Sequence, residues 1–146
     1  MFSSCVLKQC EVKTLFNACI SEEKKYEKII ELGRQLPLLE KIYQIPENVV
    51  KGCQSTMYLR SFLQEGKVFF EAQSDALISA GLAAILIQVY NGETPEAILK
   101  CPPDYLEELG INASLTPNRA NGLYSIHLRM KQDALKFLLQ SQAKSN

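Results

Sequence analysis

The sequence has no tryptophan and a single histidine among its 146 residues. With one imidazole and no C-x-x-C pair, it offers no recognisable zinc or iron–sulfur ligand set, and no resident cofactor is expected. Excess charge of either sign is also missing, since 16 Lys plus Arg balance 16 Asp plus Glu. A nucleic-acid-binding domain would carry a basic footprint, so no nucleic-acid partner is expected. The longest uncharged run, residues 76–92, falls short of the roughly 20 apolar residues a bilayer requires. Ser79, Gln88 and Asn91 interrupt it, so it reads as a buried helix, and no membrane association is expected. The opening residues lack the basic region and long apolar core of a secretory signal, which makes the cytoplasm the expected compartment. Internal repeats and low-complexity tracts are absent too, so residues 1–146 are expected to form one domain.

What is present suits a globular unit. Apolar residues make up 47% of the chain and charged residues 22%, too apolar for disorder. A chain of this size buries about 70% of the surface its unfolded form exposes, so it folds without staples. The five cysteines, at positions 5, 10, 19, 53 and 101, are odd in number and are expected as reduced thiols.

Hydrophobic spacing and punctuation predict a mixed α+β fold. Val12, Leu15, Phe16 and Cys19 recur at helical spacing. Ser21 is placed to cap a second helix whose first turn carries Glu22 and Glu23, with Pro37 closing it near Leu36. Residues 37–47 read as an ordered connection with a helical turn. Val49-Val50, Thr56 to Leu63 and Lys67 to Ala72 predict a small three-stranded antiparallel sheet, with a hairpin turn at Gln64-Glu65-Gly66. Ser74 and Asp75 offer a cap for the long apolar helix, which should stop at Asn91-Gly92. Thr94-Pro95 starts another helix, Pro103 to Leu109 a short one, and Thr116-Pro117 a last helix reaching about Gln140, with a frayed tail after Ser141.

Chemistry points first to Cys53, in the loop Lys51-Gly52-Cys53-Gln54-Ser55 between two predicted strands. A glycine there permits a tight turn, and a loop thiol can reach a partner. Lys51, turn amides, Gln54 and Ser55 are the kinds of groups that stabilise a thiolate, the nucleophilic form. The plainer reading makes Cys53 a small apolar residue in a sheet turn. His127 falls near the apolar stripe of the last helix, where a packing role is the plainer expectation than a Cys-His peptidase pair. Asp75 reads as a first-turn carboxylate and Arg119 as a solvated or ion-paired helix residue.

Several separated motifs are similar to one known family. Gly52-Cys53-Gln54-Ser55, Ser74-Asp75-Ala76, Gly81-Leu82, Asn91-Gly92-Glu93-Thr94-Pro95 with Ile98-Leu99, and Leu115-Thr116-Pro117-Asn118-Arg119-Ala120-Asn121-Gly122-Leu123 follow in order and spacing those of the SufE family of cysteine desulfuration proteins. Tyr26 to Pro37 also resembles the family's early Y-x-x-I-I-x-L-G-x-x-L-P segment. Two departures are Met57-Tyr58, where the family often has a valine-tryptophan pair, and Ala72, where a glycine commonly precedes the S-D-A motif.

The resemblance implies a SufE/IscU-like fold and a role as sulfur carrier rather than stand-alone enzyme. Cys53 matches the cysteine that takes persulfide sulfur from a pyridoxal-phosphate-dependent, SufS-like cysteine desulfurase and passes it to an iron–sulfur scaffold complex. Gly52, Gln54, Ser55, Asp75 and Arg119 match motif positions around it, with Asp75 expected as a structural cap and Arg119 to hold a partner carboxylate or favour the thiolate. Cys5, Cys10, Cys19 and Cys101 match no motif. A non-covalent activator with Cys53 incidental is the alternative. A scaffold role is disfavoured, because only Cys53 is well placed as a ligand. The chain is expected as monomer or homodimer.

Overall fold

The computed structural model describes residues 2–145 apart from 54, 102–104, 112–114 and 116, and apart from the side chains of 118–120 and 143–145. Helix α1, Ser3–Asn17, buries Cys5, Gln9, Val12 and Phe16, which recur about once per turn on one face. It ends before Cys19, which was expected on its stripe. Helix α2, Glu22–Arg34, starts where expected, with Ser21 Oγ accepting from Lys24 N at 3.1 Å. Two 3₁₀ turns, Lys41–Tyr43 and Pro46–Asn48, occupy the connection to the sheet.

The sheet has two strands among the described residues, not three. Strands β1, Met57–Gln64, and β2, Lys67–Ser74, pair antiparallel from Met57↔Ser74 to Gln64↔Lys67. Glu65 and Gly66, at φ 52 and 80, supply the two left-handed residues of the hairpin turn. Val49 joins only through a single bridge to Tyr58, with Val50 N donating to Met57 O at 2.8 Å. The expected third strand goes no further for a local reason. The Pro46–Asn48 turn coils the chain before Val49, and Gly52, at φ +91, turns it away afterwards.

Met57, Leu59, Val68, Phe70 and Ala72 share the face of the hairpin that packs into the core. On the other face Arg60 pairs with Glu71 at 2.6 Å and lies over the rings of Tyr43 and Phe62. Helix α3, Leu77–Tyr90, is buried on most of its circumference and packs against α1, α2 and β2. The α2–α3 crossing is close. A Cβ on Gly81 would overlap the Ile29 carbonyl oxygen, and one on Gly33 would lie 2.6 Å from Gly81 N. Only hydrogens fit where the two backbones meet.

Ala76 is the N-cap of α3 and makes no side-chain cap bond, which corrects the expectation for Asp75. Asp75 lies one residue too early and is exposed, while Ser74 Oγ accepts from Ala76 N at 3.2 Å and serves the turn itself. Helix α4, Pro95–Lys100, is capped by Thr94 as expected. The short helix α5 covers Tyr105–Glu108, whereas Pro103, its expected start, is outside the described residues. Helix α6, Pro117–Ser145, runs past Gln140 and packs against α3, α4 and β1. Among the described residues no helix is long and apolar enough to cross a membrane.

Candidate functional site

Cys53 stands on the loop between the Val49 bridge and β1, at the wall of a cavity of about 400 Å³. Three helices supply the other walls. Tyr26 and Ile30 come from successive turns of α2, Leu77, Ile78, Ser79 and Leu82 from the first turns of α3, and Gly122 and Ile126 from α6. Tyr26 with Ile30, Ile78 with Leu82 and Gly122 with Ile126 are i, i+4 pairs, so one stripe of each helix faces the cavity. Two serines of the lining face each other, with Ser55 Oγ and Ser79 Oγ 2.9 Å apart.

Cys53 is partly buried, and burial pushes its thiol up from the ordinary value. Lys51, expected to help stabilise the anion, is exposed and lines a different groove with Val50, Ser125, Arg129 and Lys136. Among the described residues, no lysine or arginine lines the Cys53 cavity. The first turn of α3, which includes Leu77 and Ile78, lines the cavity instead, and a helix N-terminus favours an anion.

The other site residues expected from sequence divide in three. Gly52 and Ser55 lie beside Cys53, Gly52 as the left-handed hinge and Ser55 in the cavity wall. Asp75 faces a separate groove with Gln44, Thr56, Tyr58 and Gln73. Gln54 and the side chain of Arg119 are outside the described residues; the Arg119 backbone belongs to the first turn of α6. Sequence reasoning gave no site role to Ser79 or to the cavity residues Tyr26, Ile30, Leu82 and Ile126; Tyr26, Ile30 and Leu82 entered it only within motifs the chain shares with the family, and Ile126 only by the helical periodicity of a core.

His127 is a packing residue, as its stripe position suggested. It is buried, stacks on the Tyr90 ring and has Nε2 2.9 Å from the Tyr90 hydroxyl. Burial first, and Lys131 second, hold its pKa down at about 4. It does not line the Cys53 cavity. Among the described residues no three His, Cys, Asp or Glu side chains gather in a way that could hold a metal ion.

A family model described as the Fe-S metabolism associated domain, SufE, matches residues 10–134. The chain belongs to the SufE family. It is 41% identical over 117 residues to "Uncharacterized SufE-like protein slr1419" of Synechocystis sp., covering 80% of this chain and 74% of that protein. It is 34% identical over 137 residues to "SufE-like protein 1, chloroplastic/mitochondrial" of Arabidopsis thaliana, covering 93% of this chain and 37% of that one. Among solved structures it is similar to a hypothetical protein from Thermus thermophilus, with a TM-score of 0.74 and 25% identity over 90% of this chain and 96% of that chain. SufE membership points to a sulfur-transfer accessory role beside a cysteine desulfurase.

Proposed function

We propose that the protein accepts persulfide sulfur on Cys53 from a pyridoxal-phosphate-dependent, SufS-like cysteine desulfurase, stimulates that enzyme by removing its product, and passes the sulfur to an iron–sulfur scaffold complex. The observation that carries this reading is a partly buried loop thiol at the mouth of a cavity with room for more than its own sulfur. The Cys53 thiolate attacks the terminal sulfur of the desulfurase persulfide. A bond forms from Cys53 Sγ to that sulfur, the old S–S bond breaks, and the desulfurase cysteine leaves as thiolate, so no outside oxidant or reductant is consumed. The carrier keeps its sulfur safest when reductants reach it least, and the partial burial of Cys53 in a mostly apolar wall favours that.

Gly52 gives the loop its hinge, Ser55 and Ser79 offer hydroxyls toward the transferred sulfur, and Gln54, Asp75 and Arg119 are assigned to loop support or the partner's side. Residues 1–146 act in this reading as one sulfur-acceptor unit, in the cytoplasm. Mass spectrometry of the intact protein and its peptides, after incubation with a cysteine desulfurase and free cysteine, tests it. The expected result is a gain of sulfur mapped to Cys53 and lost in Cys53→Ser. Desulfurase stimulation that survives Cys53→Ser with no sulfur gained would make the chain a docking activator instead.

A further inference from the structure

Outside the cavity, the side of α6 that faces the Cys53 loop carries polar residues at successive turns, Ser125, Arg129 and Asp133. Each grips something before or beside the loop. The Arg129 guanidinium donates to the carbonyl oxygens of Glu47 and, at 3.0 Å, Val49, and its Nε donates to Asp133 Oδ1 at 3.2 Å. Asp133 in turn accepts from Ser61 Oγ of β1 at 2.6 Å, so the arginine is held from behind. One turn earlier on α6, Ser125 Oγ lies 3.4 Å from the carbonyl oxygen of Gly52. The chain from Glu47 to Gly52 is therefore tied to α6 at both ends of the segment that delivers Cys53.

These carbonyls belong to the stretch that fails to become a third strand. Val49 has one bridge to β1, and because Val50 N donates to Met57 O the Val49 carbonyl points away from that strand, so the Arg129 fork satisfies acceptors that the hairpin leaves unpaired. A charged donor to two carbonyls is among the stronger hydrogen bonds a protein makes. Arg129 and Asp133 keep only 21% and 14% of their side chains exposed, so solvent screens the contact little.

We propose that Arg129 is a positioning residue that latches the Glu47–Gly52 segment to α6 and thereby keeps Cys53 drawn into its cavity. The relevance to sulfur transfer rests on the Cys53 reading, but the latch itself does not. Sheltering and delivery then become two states of one segment, with the partner's arrival releasing what Arg129 holds.

Alkylation of Cys53 by iodoacetamide, followed peptide by peptide at one pH, tests the latch without any desulfurase. Exposed Cys10 in the same molecule is the internal reference. Arg129→Met, which removes both guanidinium–carbonyl bonds from the closed state, should raise the Cys53 rate at least about tenfold, with Cys10 unchanged. Arg129→Lys, which keeps the charge but not the fork, should fall between. A folded Arg129→Met protein with an unaltered Cys53 rate overturns the proposal, as does an equal rise at Cys53 and Cys10, which would mean general loosening. Should Arg129→Met not fold, Arg129→Lys decides alone, and a rate equal to that of the native protein overturns it. Failure of Cys53 to take sulfur would leave these rates untouched, so the two readings fail separately.

Discussion

Cys5 and Cys53 are both pushed up by burial, yet Cys5 is fully enclosed on α1 beside Cys101, whereas Cys53 stands on a loop at the wall of a cavity. Around Cys5 the space is filled. Gln9 Nε2 donates to Cys101 Sγ at 3.1 Å, and Val12 and Phe16 continue the same buried face. Around Cys53 there is room, a glycine hinge before it and a helix N-terminus opposite. The same electrostatic trend therefore accompanies an inert thiol and a candidate carrier. What separates them is empty volume and a place on a loop rather than inside a packed helix face.

Sulfur acceptance should break that comparison most sharply. Cys53→Ser is expected to lose all persulfide formation while keeping the fold. Cys5→Ser should keep persulfide formation at Cys53 and lose about 1–3 kcal/mol of stability, because a hydroxyl replaces sulfur in a filled, mostly apolar site. Peptide mass spectrometry reads the first effect and urea unfolding the second. Equal sulfur uptake by the native and Cys53→Ser proteins would remove the distinction drawn between the two thiols.

The filled region makes a second expectation, in acid. His127 is held neutral with a pKa of about 4, while the unfolded chain takes its proton near the ordinary 6.5. Between those values the unfolded state binds more protons. Stability is thus fully present above about 6.5, falls as the pH drops toward about 4, and loses nothing further from this group below that. The full contribution is roughly 3–3.5 kcal/mol. Urea unfolding of the native and His127→Gln proteins between pH 7 and pH 4 should differ in slope, the variant losing less on acidification. Parallel curves would mean that His127 takes its proton without leaving the core.

Much of this contrast could be read from the sequence, and the missing parts have identifiable causes. Caps and punctuation placed α2, α4, the hairpin turn and the end of α3, because Ser21, Thr94-Pro95, Glu65-Gly66 and Asn91-Gly92 act on their immediate neighbours. The third strand was not legible, since Val49-Val50 has strand-forming side chains but its pairing is decided by Pro46 before it and Gly52 after it. Asp75 failed as a cap by a single position, a matter of where the chain leaves β2. At the candidate site, Cys53 stood out by its motif, whereas Arg129 and Ser125 were hidden in the polar spacing of a long helix. Their partners are main-chain carbonyls 73 to 82 residues away, and a carbonyl has no sequence signature.

A smaller effect should sharpen the role of the hinge. Gly52 sits at φ +91, and a Cβ there would overlap Ser125 Oγ. Gly52→Ala should cost about 1–3 kcal/mol, part from the left-handed backbone and part from the clash. Adding Ser125→Ala removes the Oγ overlap together with the Ser125–Gly52 hydrogen bond, so measured against Ser125→Ala alone the double variant should show a smaller loss than Gly52→Ala shows against the native protein. No remaining loss in the melting curve would place the whole cost in the side-chain overlap and none in the hinge.

The finest test compares the loop thiol with itself. Because burial raises the Cys53 thiol, its thiolate fraction lags behind that of an ordinary cysteine, whose midpoint is about 8.5. The sign follows from the charge: desolvation penalises the anion, so more alkaline solution is needed to form it. The rate of Cys53 alkylation should therefore keep rising beyond that midpoint in the folded protein and level off earlier in urea, where the cavity no longer exists. Identical profiles in the two solvents would mean that the thiol already samples water in the native state. Sheltering would then have to come from the partner rather than from this chain, and the difference between Cys53 and Cys5 would reduce to exposure alone.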